Sequence, residues 1–196
     1  MNKKEEKLFD EIQCLVEELP WTNKLNLDYF ETCVHEAGHG VAMLMVCNKF
    51  NNPVDLSKLI LEARVGENNK HSRGQAKPGH GLKEHQFMFS LIPSMYIKCV
   101  AQSGAILSDE FFSYYYGWGK VRGFKELQKE YGASSDYTAA LRFGLIGCYI
   151  TKFILRLSYS SSEVRLLHLR LIRDLLKKNG KLVIENPEKY VKEKEL

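Results

Sequence analysis

His35, Glu36 and His39 stand in the run E-T-C-V-H-E-A-G-H-G-V-A-M, Glu31 to Met43, and form an H-E-x-x-H pattern. On an α-helix, positions i and i+4 share a face about one turn apart, so both imidazoles can reach one metal ion. The glutamate beside the first histidine points past the metal toward the water that completes the coordination. A carboxylate there can take a proton from that water and later return it to a leaving amine. At this chain's own His and Glu frequencies the pattern is expected by chance on the order of 1% of the time.

The chemistry requires a helix, and the flanking sequence predicts one. Asp28 and Glu31 make a D-x-x-E pattern suited to an N-cap and its reciprocal partner. Phe30, Cys33, Val34, Ala37, Val41 and Leu44 recur at helical spacing and predict a core-facing stripe. Gly38 costs a helix interior roughly 1 kcal/mol relative to Ala, so its presence implies a close approach by another element.

Around this helix the chain has 196 residues, enough for one domain with a core of its own. Hydrophobic residues make up 44% and charged residues 27%, the balance of a soluble globular protein. The net charge of +4 is uneven: residues 1–140 hold 16 Lys+Arg against 18 Asp+Glu, and residues 141–196 hold 12 against 6. Those tail charges are spread along amphipathic helices without an aromatic cluster or nucleic-acid module, so a solvated face is expected and no nucleic-acid partner. The five cysteines (Cys14, Cys33, Cys47, Cys99, Cys148) include no C-x-x-C pair, which suits buried free thiols in a reducing compartment. The first twelve residues lack the apolar stretch of a signal peptide, and no clean apolar run of about 20 residues occurs. The expectation is a cytoplasmic chain without membrane insertion.

In order, the pattern predicts a helix over Lys4–Leu19 ended by Pro20, a link over Trp21–Leu27, and the motif helix fading near Asn48. Leu59 to Val65 reads as a strand, Lys70 to Gly81 as loop, and a helix runs from about Lys83 to Leu107. The glycines and aromatics of Ser113 to Phe124 read as an aromatic loop, a lid or a packed turn. Further helices are expected from Ser134 past Ile154 and over Glu163–Lys178, closed by Gly180.

A hydrolytic metal site needs a third protein ligand and one open position. The candidates are His71, His80, His85, Asp109, Glu110, Asp136 and His168, and spacing does not choose among them. The metzincin extension is absent, since G-V-A-M-L-M-V follows His39.

H-E-A-G-H-G, followed far downstream by G-A-S-S-D-Y-T-A-A, resembles the peptidase domain of the FtsH-type ATP-dependent zinc proteases. The intervening V-A-Q-S-G-A-I-L-S-D-E-F is similar to that family's small-residue helix, which ends in paired acids. The likeness spans roughly residues 28–155. It implies a mainly α fold with a small β-sheet, zincin-like. It also implies Zn2+ held by His35, His39 and Asp136, with Glu36 as general base and Asp109 and Glu110 as outer partners orienting a ligand. The domain plan is a single peptidase domain over 1–196, with an N-terminal helix and link (1–27), a zinc-protease core (28–155) and a helical extension (156–196).

No G-x-x-x-x-G-K-[ST] is present, so the resemblance implies a stand-alone domain without the ATPase module and without an ATP requirement. The function expected is an ATP-independent zinc endopeptidase acting on flexible or unfolded segments or on one dedicated protein partner, with oligomerisation possible. The alternative is a silent zinc-binding regulator descended from such a domain. The substrate is expected along a sheet edge formed by the Leu59–Val65 strand, at Leu59, Ile60, Leu61, Glu62 and Ala63.

Overall fold

The structure is a computed structural model that describes residues 1–49, 58–66, 71–78, 91–120 and 145–192. The elements are α1 (Lys3–Glu17), α2 (Asn23–Lys49), β1 (Leu59–Val65), β2 (Ser72–Pro78), α3 (Leu91–Tyr116), α4 (Leu145–Ser158), α5 (Ser162–Lys177), β3 (Lys181–Ile184) and α6 (Pro187–Lys192). The fold is mainly helical with one small antiparallel sheet, as the sequence implies. Among the described residues no helix is long and apolar enough to cross a membrane.

The motif helix α2 lies at the centre. Every residue from Cys33 to Leu44 is buried, because α2 packs against α3, α5, β1 and β2 on different sides. A helix enclosed in this way needs apolar or small residues around most of its circumference. Gly38 permits one of the closest of these contacts: a Cβ there would stand 3.0 Å from the Ser103 carbonyl oxygen and 3.2 Å from the Gly104 Cα of α3. The cost of glycine in a helix is thus offset by a close crossing of α2 and α3.

α2 begins earlier than the D-x-x-E pattern predicts. It starts at Asn23, where the Thr22 hydroxyl accepts the Leu25 N–H at 3.4 Å, so Thr22 takes the capping role. Asp28 sits inside the helix and turns its side chain to β2. Ser72 donates its N–H (2.5 Å) and its hydroxyl (2.7 Å) to the Asp28 carboxylate.

The sheet has the order β2-β1-β3, all antiparallel. Leu59, Leu61 and Ala63 of β1 point into the core, opposite Leu182 and Ile184 of β3. This corrects two expectations. The Leu59–Val65 strand is the central strand, paired on both sides, so Leu59, Ile60, Leu61, Glu62 and Ala63 form no edge. The stretch expected as loop after Lys70 holds the edge strand β2. β3 follows a tight exit from α5: Asn179 (φ 50°) and Gly180 (φ 77°) adopt left-handed backbone, and Gly180 N–H returns to the Leu175 carbonyl at 2.7 Å.

The aromatic run also differs from expectation. Ser113 to Tyr116 continue α3, because Phe9 of α1 stacks on Tyr115 (4.9 Å) and meets Tyr116 edge-on (5.5 Å). Gly117 (φ 69°) ends the helix, and Trp118 folds back onto Phe112 at 4.6 Å. The remainder of the expected loop, 121–124, lies outside the described residues. Cys33 and Cys148 are buried free thiols, whereas Cys14 is exposed.

Candidate metal centre

The two histidines of α2 are brought to one point by helical periodicity. Their Nε2 atoms stand 3.1 Å apart. Two nitrogens at tetrahedral positions around a first-row ion, each at about 2.0–2.1 Å, lie about 3.3 Å from one another. The pair is therefore already close to chelating separation. Both rings are nearly enclosed, with His35 8% and His39 6% exposed.

α3 supplies the other wall. The carbonyl of Val100 lies 2.7 Å from His39 Nδ1. A carbonyl only accepts, so Nδ1 carries the proton and Nε2 presents its lone pair, the tautomer a metal requires. The Ser103 hydroxyl donates to the same carbonyl at 2.7 Å and lies 3.4 Å from His39 Nδ1. One residue on, a Cβ at Gly104 would come 2.5 Å from both Nε2 atoms. The small-residue helix thus leaves open the space beside both Nε2 atoms.

Glu36 completes the group. Its carboxylate and the two imidazoles offer ligand atoms that all lie within 4.8 Å of one another. It is 5% exposed and borders Gly74 of β2, where a side chain would collide with it. Gly74 itself is exposed, so the carboxylate lies under a thin, open part of the sheet edge. The donor set fits a metal ion: two convergent imidazoles, an adjacent carboxylate, and a cradle kept clear by glycine.

The other candidate ligands fall elsewhere. His71 is exposed at the start of β2, where its carbonyl accepts the Gly66 N–H. His168 is fully buried in α5, donates from Nε2 to the Val34 carbonyl (2.9 Å) and accepts the Tyr159 hydroxyl at Nδ1 (3.2 Å), so both nitrogens are engaged. Asp109 and Glu110 are buried and paired with Arg156 of α4, at 2.6 and 3.4 Å, and Lys120 closes on Glu110 at 2.7 Å. These acids hold α3 to α4. The ring of His39 is oriented by the Val100 carbonyl. Asp136, His80 and His85 lie outside the described residues.

Sequence reasoning missed four contributors: Val100, Ser103, Gly104 and Gly74. The small residues of V-A-Q-S-G-A were the available signal for the first three. Gly74 was readable only as loop. Comparison with protein-family models, curated proteins and solved structures returns no match for this chain.

Proposed function

We propose that this protein is a metal-dependent endopeptidase, a stand-alone domain of the FtsH-like type that cleaves extended segments of protein without using ATP. The observation that carries the reading is the convergence of the His35 and His39 Nε2 atoms over Gly104, with Glu36 beside them at an open strand edge.

His35 and His39 would hold the ion with Asp136 as third ligand, and zinc is the ion the motif suits best. Bound there, it would supply Lewis acidity to a water and to the scissile carbonyl. Glu36 takes the proton of the attacking water and delivers it to the departing amine, which needs a carboxylate fixed within reach of both atoms. Val100 keeps His39 in the ligating tautomer throughout.

The edge of β2 supports a peptide substrate. Gly66 N–H bonds to His71 on the β2 side, and Ala63 N–H bonds to Gly180 on the β3 side. Ladder alternation then directs the N–H and C=O of Gly74 and Ala76 away from β1. Ser72, of the same parity, already spends its N–H on Asp28. Among the described residues no strand pairs with Gly74 and Ala76 on that side, so both are placed to receive an added strand, and main-chain pairing makes little demand on sequence. The bond beside Gly74 would then lie next to Glu36.

The test is metal analysis paired with hydrolysis of an unfolded protein, with and without chelator. Chelation is expected to remove cleavage, and Glu36→Gln to retain the metal while losing about 10²–10⁴-fold in rate. Turnover unchanged in Glu36→Gln would rule out the mechanism. Asp136→Ala is expected to weaken metal binding, with Asp109→Ala and Glu110→Ala disturbing it less.

A further inference from the structure

We propose that the outer face of the sheet selects acidic substrates, specifically extended segments with two carboxylate side chains four residues apart. The inference rests on the peptidase reading and names the substrate class of that same site.

Strand alternation divides β2 into two faces. Ser72, Gly74 and Ala76 turn toward α2, where they meet Asp28, Glu36 and the core. Arg73, Gln75 and Lys77 turn outward and are exposed. Across the ladder Arg73 faces Arg64, and Gln75 faces Glu62. Glu62 in turn faces Lys181 of β3. The strand residues of this face therefore carry four cations, Arg64, Arg73, Lys77 and Lys181, around one carboxylate, while just beyond the strand ends Lys58 and Glu185 satisfy each other at 2.9 Å.

That carboxylate is already shared. Arg64 and Lys181 approach Glu62 at 4.0 and 3.8 Å. Arg73 and Lys77 have no acidic partner among the described residues, and Arg73 opposes a like charge, an arrangement unfavourable for the isolated sheet. Both unmatched cations belong to β2, the strand whose outer edge is unpaired among the described residues.

An added antiparallel strand would bond through Gly74 and Ala76. Its residues opposite Arg73 and Lys77 would then occupy non-hydrogen-bonded positions, where facing side chains come closest, and on the outer face. Those two positions are four residues apart and bracket the backbone that lies beside Gly74 and Glu36. Carboxylates there would complete both cross-strand pairs and relieve the Arg64–Arg73 opposition. Charge complementarity thus marks the occupant as an acidic peptide segment.

The test compares unstructured peptides that differ only at two positions four apart, carrying Glu, Gln or Lys, with the metal-loaded full chain. At low salt, kcat/KM for the Glu peptide is expected to exceed that for the Gln peptide about fivefold, with the margin shrinking near ~1 M salt. The double variant Arg73→Glu, Lys77→Glu is expected to invert the order in favour of the Lys peptide, and Arg73→Gln, Lys77→Gln to flatten it. Equal rates on all three peptides in the unaltered chain overturn the inference and leave the peptidase reading standing. If no peptide is cut, fluorescence anisotropy on the same set separates the two ideas. Binding of the Glu peptide that the charge reversal abolishes keeps the surface and removes the peptidase reading. A single-stranded oligonucleotide or an anionic vesicle bound more tightly than the Glu peptide overturns the inference.

Discussion

Gly74 of β2 lies against Glu36 of α2 with no room for a methyl group between them. The groups that such a methyl would meet are the carboxylate and Cγ of Glu36, the movable end of a long side chain. Gly74→Ala is therefore expected to leave the fold and the metal site in place and to displace the base. A misplacement of about 1 Å costs on the order of 10²-fold in rate. Metal analysis and single-turnover hydrolysis of the variant check this, and full activity would mean that Glu36 works from a different rotamer.

The cradle over α3 makes a complementary prediction. A methyl at Gly104 would fall 2.5 Å from the Nε2 atoms of His35 and His39, in the space between them and α3. The His39 ring cannot swing aside without giving up its bond to the Val100 carbonyl. Gly104→Ala is expected to lower metal affinity by at least about 100-fold, comparable with the loss of a hydrogen-bonded partner of a ligand. Cobalt titration followed by absorbance measures it, with circular dichroism to confirm the fold. Undiminished affinity in a folded variant would place the metal elsewhere.

Asp28 holds the start of the edge strand through the Ser72 N–H and hydroxyl, while Thr32 bonds to the Ser72 hydroxyl at 2.5 Å. Removing the carboxylate leaves a backbone donor of β2 unmatched. Asp28→Ala is expected to lower stability by about 1–3 kcal/mol, to speed amide exchange in β2, and to raise KM for extended peptides with little change in metal affinity. Hydrogen exchange resolved by residue is the measurement. Unchanged exchange at Ser72, Arg73 and Gln75 would show that the strand is held by β1 alone.

The parts of this design legible in the sequence are those governed by one periodicity. His35, Glu36, His39 and the stripe from Phe30 to Leu44 follow a single helical repeat, so their burial and convergence are readable without the fold. β2 breaks the rules of strand composition because its inward residues answer to α2: Ser72 must reach Asp28 and Gly74 must clear Glu36. Small and polar residues chosen for those contacts read as loop. The apolar strand beside it, Leu59–Val65, was legible as a strand, but its burial places it at the centre of the sheet, while the edge falls to the polar strand. The glycines that follow make Ser113 to Tyr116 read as part of a loop, although Phe9 of α1 packs against Tyr115 and Tyr116 and they continue α3. In each case the missing information was a contact with an element distant in sequence.

His168 ties acid sensitivity to the packing of α5 on α2. It is fully buried, with Nε2–H donating to the Val34 carbonyl and Nδ1 accepting the Tyr159 hydroxyl, and that pairing requires the neutral ring. Burial pushes its pKa from the ordinary 6.5 down to about 4, against the smaller upward pull of the Val34 bond. The unfolded chain therefore binds a proton at higher pH than the folded one, and stability rises with pH between the two values. The contribution is complete above pH 6.5 and is lost as pH falls through 4, an amount of order 3 kcal/mol from this residue alone. His168→Gln lacks the titration, so its stability is expected to be lower at pH 7 but flatter between pH 6.5 and 4. Denaturant unfolding of both proteins across that range, without added metal, isolates the difference. Parallel stability curves would mean that His168 is not held neutral by its buried position.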